Sequence, residues 1–170
     1  MIHKCSLLNV LEVFFKEPTG IHFIREIAKK IKLAPTSVRN NLQELEKEGI
    51  IRRKKAKPFD GYAANRENEM FLFYKKAYNF YTTNDIKNSI LGLTEPKAII
   101  VFGSYTRGED IENSDIDILI ISKIKKEVNL EDLEKRLERK INAIIVSALD
   151  RLDEHLRKNV SNGWIIYGGI

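Results

Sequence analysis

The sequence lacks the features that mark secreted, membrane-spanning or disordered proteins. It contains one cysteine, Cys5, so an internal disulfide is excluded and a reducing compartment is favoured. No apolar run is long enough to span a membrane, and the first residues lack the apolar core of a signal peptide. There are no internal repeats or low-complexity segments. We therefore expect a cytoplasmic globular protein without a membrane partner, and 170 residues leave room for two small domains.

The net charge of +5 is unevenly distributed along the chain. Residues 1–68 contain 14 Lys and Arg against 8 Asp and Glu, a net charge of +6, whereas residues 69–170 carry a net charge of −1. The whole basic excess thus lies in the N-terminal part. This asymmetry predicts a polyanionic partner for that part only.

The N-terminal residues follow a pattern of three helices and a hairpin. Apolar residues at helical spacing predict one helix that ends at 17–20, a second around 24–31, and a third that begins at Pro35. Val38, Leu42 and Leu45 form the apolar stripe of the third helix. A strand-like run, a turn and a return segment follow at 50–55, 58–61 and 62–65. Three helices followed by a basic hairpin is the order of a winged helix.

Polar and basic side chains fall where such a domain would meet DNA. A recognition helix presents its exposed face to the major groove, and cations on the wing neutralise phosphates. The candidates on the third helix are Thr36, Ser37, Arg39, Asn40 and Gln43, and those on the wing are Arg52, Arg53, Lys54 and Lys55, together with Lys57 at the turn that follows. The alternative is a basic hairpin on a helical domain that docks to a protein.

Residues 3–68 resemble the winged helix-turn-helix regulators of bacteria and archaea. The resemblance is carried by the segments 24–29 and 36–51, which match their second helix, turn, recognition helix and wing. It implies an α+β winged helix-turn-helix fold, binding to double-stranded DNA, a role in transcription regulation and a homodimer.

The segment 67–92 predicts one long helix that is rich in aromatic residues. We expect a helical connector that buries these rings against one or both domains. A dimer interface is the alternative, and the two interpretations are compatible. The aromatic residues are Phe71, Phe73, Tyr74, Tyr78, Phe80 and Tyr81.

Beyond Pro96 the pattern becomes that of an α/β domain. Strands are predicted at 98–102, 115–121, 141–146 and 164–167, and helices around 130–140 and 148–158. The predicted organisation is therefore a first domain at 1–66, a helical linker at 67–94 and a second domain at 95–170.

One motif in the second domain carries chemistry. Gly103 and Ser104 follow a predicted strand, where backbone N–H groups and a hydroxyl can approach a triphosphate without an intervening Cβ. Arg107 can add positive charge to the same phosphates. Ten residues intervene between Ser104 and Asp115, and Asp115 and Asp117 lie two apart on a strand, so their carboxylates point to one face. Two such carboxylates repel each other unless a cation lies between them, and hard oxygen ligands suit Mg²⁺.

In this order and spacing, these residues resemble the minimal nucleotidyltransferases of the DNA polymerase beta superfamily. The resemblance implies an α/β fold with a mixed sheet and helices. It also implies that Gly103 and Ser104 bind the triphosphate of ATP or another NTP and that Asp115 and Asp117 bind Mg²⁺. The nucleotidyl group would pass to a protein or a small molecule.

The sequence departs from this family at its third catalytic carboxylate. Asn142 occupies the matching position on the third strand. Its amide is uncharged and cannot accept a proton at neutral pH. Glu138 or Asp150 could stand in, although neither lies on the predicted strand. Two functions stay open: a DNA-binding regulator that transfers a nucleotidyl group, and a non-catalytic regulator that senses a nucleotide. His3, His22 and His155 show no metal-ligand spacing, and we assign them no role.

Overall fold

The computed structural model describes residues 5–123 and 128–169 and divides the chain into two units, Met1–Lys75 and Lys76–Ile170. Helix α4 contributes residues to both units, and each unit is described separately below. Within the described part of the chain, no helix combines the length and the apolar character that crossing a membrane requires.

Three helices open the first unit in the predicted order. They are α1 (Ser6–Lys16), α2 (Ile24–Ile31) and α3 (Pro35–Lys47). Pro35 occupies the first turn of α3, where its missing N–H costs no hydrogen bond. The stripe Val38, Leu42 and Leu45 is buried, with at most 1% of each residue exposed. The prediction of the helix and of its buried face is confirmed.

A two-stranded antiparallel hairpin follows the helices. Strand β1 (Ile51–Lys54) pairs with β2 (Gly61–Ala64), with Ile51 opposite Ala64. Gly49 turns the chain from α3 into β1 at φ +71°, a conformation that a residue with a Cβ adopts at a cost. His22 forms an isolated bridge with Tyr62 through two backbone hydrogen bonds of 2.8 and 2.9 Å. This bridge ties the wing to the segment before α2.

The predicted long helix is present as α4 (Glu69–Leu91). Its buried positions recur every three or four residues, as expected for one face of a helix. Half of that face is polar, and the buried residues are Phe71, Lys75, Asn79, Thr83, Ile86 and Ile90.

Most of the aromatic residues of α4 lie off its buried face, so the prediction that their rings are buried is wrong for three of them. Phe73, Phe80 and Tyr81 are 60%, 55% and 53% exposed. Phe71 is fully buried and packs on Phe15, with the ring centroids 5.6 Å apart. Aromatic content therefore predicted the helix correctly but not which of its faces packs.

The second unit contains a four-stranded mixed sheet in the order β5-β4-β3-β6. Strand β4 pairs antiparallel with β3 and parallel with β5, and β6 pairs antiparallel with β3. This confirms the predicted mixed sheet. The strands are β3 (Ala98–Phe102), β4 (Ile116–Ile121), β5 (Ile141–Val146) and β6 (Trp164–Gly168).

Helices cover both faces of this sheet. Ile86 and Ile90 of α4 pack on one face together with Leu133 of α6 (Glu131–Leu137). Val160 of α7 (Glu154–Ser161) packs on the other face. Between β3 and β4 lies one further short helix, α5 (Ser104–Arg107).

The helix predicted over 148–158 is interrupted, and this prediction is wrong in its bounds. A 3-10 turn covers Leu149–Arg151, and α7 begins afterwards at Glu154. The reason is local, because the side chain of Asp153 accepts a hydrogen bond of 2.8 Å from the backbone N–H of Leu156. Such an N-cap starts a new helix at that residue.

Candidate functional site

The end of β3 meets the starts of β4 and β5 at one edge of the sheet. Phe102, the last residue of β3, lies opposite Asp117, and Asp117 lies opposite Asn142 on the parallel strand β5. Ile116 and Ile118 belong to one core cluster, so the alternating side chain of Asp117 points to the opposite face. The register thus brings Gly103, Asp117 and Asn142 together at this edge.

Gly103 is required here by its conformation and by its neighbour. Its backbone has φ +80° and ψ −155°, values that residues with a Cβ rarely adopt. A Cβ at this position would lie 2.6 Å from Oδ2 of Asp117. The carboxylate of Asp117 therefore rests directly against the backbone of the turn that leads into α5.

The other oxygen of the same carboxylate is bound by Asn142. Nδ2 of Asn142 donates a hydrogen bond of 3.0 Å to Oδ1 of Asp117. Because a carboxylate only accepts hydrogen bonds, the amide presents its NH₂ group and not its oxygen. Asn142 therefore positions Asp117 in this structure.

No third acidic, histidine or cysteine side chain among the described residues joins Asp115 and Asp117 in a cluster of metal-ligating groups. Glu138 is exposed at the C-cap of α6, three residues before β5. Asp150 is exposed and follows the opposite end of β5 from Asn142. Of the two predicted substitutes, only Glu138 lies near the correct end of the strand in sequence.

The other predicted site residues, Ser104, Arg107 and Asp115, lie close in sequence to the residues at this edge. Ser104 is half-buried at the start of α5, directly after Gly103. Asp115 is exposed immediately before β4. The exposed guanidinium of Arg107 donates a hydrogen bond of 2.7 Å to Oε2 of Glu109. Arg107 is thus paired with an acidic side chain of its own loop.

A buried polar network, which the sequence analysis missed, holds the loop between Gly108 and Asp115. Asp110 is 1% exposed, and its Oδ2 lies 3.4 Å from the guanidinium of Arg139. Asn79 of α4 donates 2.8 Å hydrogen bonds both to Oδ1 of Asp110 and to the carbonyl of Tyr105. No local sequence signal identifies these partners, because they come from three separate segments.

Tyr105 packs α5 against α4. Its hydroxyl lies 2.5 Å from Oγ1 of Thr82, and burial raises the pKa of Tyr105 to about 12. The phenol is therefore neutral at physiological pH and acts here as a structural contact rather than as a base.

The predicted DNA-binding side chains of α3 lie mainly on its outer face. Thr36, Arg39, Asn40 and Gln43 are exposed, and Ser37 is half-buried. Helix α3 and the wing enclose a hollow of about 250 Å³, which sequence analysis did not predict. It is lined by Ile24, Arg39, Gln43, Arg53, Asp60 and Tyr62.

The basic residues of the wing differ in their surroundings. Arg52 pairs with Glu67 at 3.1 Å. Arg53 pairs with Glu46 at 3.4 Å and packs on the ring of Tyr62, with its guanidinium carbon 5.6 Å from the ring centroid.

The contacts of each basic side chain on the wing decide whether its charge is shared with a neighbour or available to a ligand. Interactions with Tyr62 and then with Glu46 raise the pKa of Arg53, so its charge persists. Lys54 and Lys55 are exposed and form no ion pair with other residues in the described ranges. These two lysines, like the exposed Lys57 of the same hairpin, are available to a phosphate.

Comparison with known proteins supports both halves of this description. A family described as winged helix-turn-helix DNA-binding matches residues 24–52. The family described as polymerase beta, nucleotidyltransferase matches residues 84–168, which are half of the chain. No curated protein and no solved structure matches significantly. Both resemblances inferred from the sequence are thereby confirmed, and the chain belongs to the polymerase beta nucleotidyltransferase family, with a winged helix-turn-helix DNA-binding domain in its N-terminal part.

Proposed function

We propose that this protein is a transcriptional regulator that binds double-stranded DNA with its first unit and binds an NTP with Mg²⁺ in its second unit as a sensor. The observation that carries this proposal is the 3.0 Å hydrogen bond from Asn142 to Asp117. An uncharged amide, turned to donate, stands where a third carboxylate would bind metal and accept a proton. In this arrangement the second unit still binds the NTP with Mg²⁺, and nucleotidyl transfer to an acceptor is slow or absent.

The residues present fit a nucleotide with a hard divalent cation. Asp115 and Asp117 offer carboxylate oxygens, which are the ligands that Mg²⁺ prefers, and the phosphates of the nucleotide supply further oxygens. Each carboxylate oxygen has two lone pairs, so Asp117 can accept from Asn142 and still bind a cation. When bound, Mg²⁺ would neutralise phosphate charge. Gly103 and Ser104 would bind the phosphates, and Arg107 would exchange Glu109 for a phosphate oxygen.

The same geometry argues against efficient transfer. The attacking hydroxyl of an acceptor must lose a proton, and Asn142 cannot take it. Tyr105 is neutral and bonded to Thr82, so it is not a base either. The active alternative is a transferase that modifies a protein or a small molecule, with Glu138 as its base.

The experiment that tests the proposal measures DNA affinity of the full chain with and without ATP and Mg²⁺. We expect ATP to bind only with Mg²⁺ and to change DNA affinity, with no labelled product when radiolabelled ATP and cell extract are added. Rapid labelling of an acceptor would favour the transferase instead.

Lys54 and Lys55 should contribute to DNA affinity without contributing to sequence preference. Replacing both by Ala should weaken binding to every duplex and reduce the slope of log K against log salt by about 2, because each lysine neutralises one phosphate. Titrating labelled duplexes at several salt concentrations measures both quantities. Lys158→Ala, an exposed lysine on α7, is the matched control and should change neither.

Arg39→Ala provides the contrast with the wing variant. If Arg39 contacts a base edge, its loss should cost about 1–3 kcal/mol on the preferred site and much less on other sequences. An equal loss on all sequences would assign Arg39 to the phosphates. The wing proposal fails if the salt slope of the lysine variant equals that of the parent protein.

We expect the full chain to form a two-fold dimer, since a small winged helix recognises few base pairs and paired half-sites raise both affinity and specificity. The exposed aromatic side chains of α4 are the candidate interface, with Phe73 the most exposed at 60%. Phe73→Asp should shift the mass in light scattering towards that of a monomer. Phe59→Asp, at a 72% exposed position on the wing, is the matched control. A parent protein of monomer mass with and without DNA would contradict the prediction.

A further inference from the structure

A buried histidine faces two glutamates in the first unit. The side chain of His22 is 2% exposed, and its Nδ1 lies 3.8 Å from Oε2 of Glu17 and 3.7 Å from Oε1 of Glu26. Both distances are too long for a hydrogen bond, and Nδ1 has no hydrogen-bond partner. One ligand atom from each of the three residues lies within 4.8 Å of the other two. The spacing of the histidines along the chain did not reveal this cluster, because two of its three members are carboxylates.

The other ring nitrogen determines what Nδ1 can do. Nε2 of His22 lies 2.9 Å from the backbone carbonyl of Glu17. A carbonyl only accepts, so Nε2 carries the hydrogen. In the neutral ring, Nδ1 then has a lone pair that faces the two carboxylates and can bind a metal ion. Lys30 pairs with Oε1 of Glu17, and both glutamates are partly exposed. The lone pair of Nδ1 and the two carboxylate oxygens that face it nevertheless repel one another unless a cation lies between them. Gly20 leaves room for the ring in this orientation, because a Cβ at that position would lie 3.1 Å from Nε2.

We propose that Glu17, His22 and Glu26 bind a first-row divalent transition-metal ion, with Zn²⁺ as the best match. One imidazole and two carboxylates are borderline and hard donors that suit Zn²⁺, and a water would complete a four-coordinate site. At ordinary Zn–N and Zn–O lengths, two ligands of a tetrahedral ion lie about 3.3 Å apart. The separations of Nδ1 from the two carboxylate oxygens, 3.7 and 3.8 Å, need only a few tenths of an ångström of closure, and the ligand atoms of the two glutamates lie within 4.8 Å of each other. A ligating histidine commonly donates its other N–H to a carbonyl, as His22 does.

The site connects three elements of the DNA-binding unit. Glu17 follows α1, Glu26 lies in α2, and His22 is bridged to Tyr62 of the wing. Tyr62 in turn contacts Arg53 and lines the hollow beside Arg39. A bound ion would therefore stabilise the segment between α1 and α2, which pairs with the wing through His22 and Tyr62.

The test uses the full chain with Asp117→Asn, so that the carboxylate site of the second unit does not contribute. Zn²⁺ is titrated against a chromophoric chelator, and Co²⁺ is used as a spectroscopic substitute. We expect one ion per chain, a rise in melting temperature with Zn²⁺, and displaced His22 ring resonances with Co²⁺.

Glu26→Gln separates the metal site from an alternative in which His22 is only protonated. Glu26 is 47% exposed, so the variant should fold, and loss of this ligand should weaken Zn²⁺ binding by at least about 10–100-fold, the loss seen when even an outer partner is removed. Glu44→Gln on α3 is the matched control and should bind as the parent does. Equal Zn²⁺ affinity of the Glu26 variant and the parent, or unmoved His22 resonances with Co²⁺, would overturn the proposal. Neither result would affect the proposed nucleotide site.

Discussion

Asp117→Asn should abolish the magnesium-dependent binding of ATP. The substitution preserves the shape of the side chain, and its amide oxygen can still accept the hydrogen bond from Asn142, so the sheet edge should be retained. It removes the negative charge that lies against Gly103, where the phosphates and the cation would meet. We expect a loss of affinity of at least about 100-fold, beyond the range caused by losing an outer partner of a metal site. Calorimetric titration with ATP, in Mg²⁺ and in EDTA, measures it.

The matched control is Asp150→Asn, because Asp150 is an exposed acid at the opposite end of β5. It should bind ATP as the parent protein does. If Asp117→Asn retains magnesium-dependent binding, the nucleotide lies elsewhere in the molecule. The proposed site at the end of β3 would then be wrong.

Asn142→Asp should raise any transfer of label from ATP to an acceptor by about 10²–10⁴-fold, the usual contribution of a positioned base. The new carboxylate would stand opposite Asp117 in the register of β4 and β5 and would add both an anionic ligand and a proton acceptor. Without a cation, it also replaces a hydrogen bond by repulsion between two carboxylates. The variant should therefore melt at a lower temperature than the parent, and Mg²⁺ should restore part of the difference.

Asn142→Ala distinguishes slow transfer that is caused by the missing base at position 142 from fast transfer that uses a base elsewhere in the protein. It removes the amide without adding a charge, so transfer should stay at the slow level of the native protein. Fast native transfer that survives this change would identify another base, and Glu138→Gln would then be the next variant to assay. Label incorporation into extract proteins and small molecules is the common measurement for all three proteins.

The elements with strong local patterns could be predicted from the sequence. Val38, Leu42 and Leu45 repeat at helical spacing, and their burial follows from that spacing alone. The predicted third strand even placed Asn142 at the position that the sheet pairs with Asp117. The order and spacing of Gly103, Ser104, Asp115 and Asp117 along the chain were enough to identify the family.

Features that depend on contacts between distant segments could not be predicted. Asp110 and Arg139 are 29 positions apart, and their ion pair exists only because the sheet aligns β4 with β5. His22 acquires its environment from a turn before it and a helix after it. The burial of the aromatic rings of α4 was predicted wrongly for the same reason. The packed face of this helix contains the polar residues Asn79 and Thr83, and several of its rings are exposed instead.

The uninterrupted course of α4 has a consequence for how the two halves can be separated or exchanged. Phe71 completes the packing around Phe15, while Ile86 and Ile90 complete the core beneath the sheet. A cut before residue 69 would expose apolar surface on the first half, and a cut after residue 91 would do so on the second. Any fragment or chimera of this protein must therefore keep its own share of α4, or duplicate the helix, to remain folded and unaggregated.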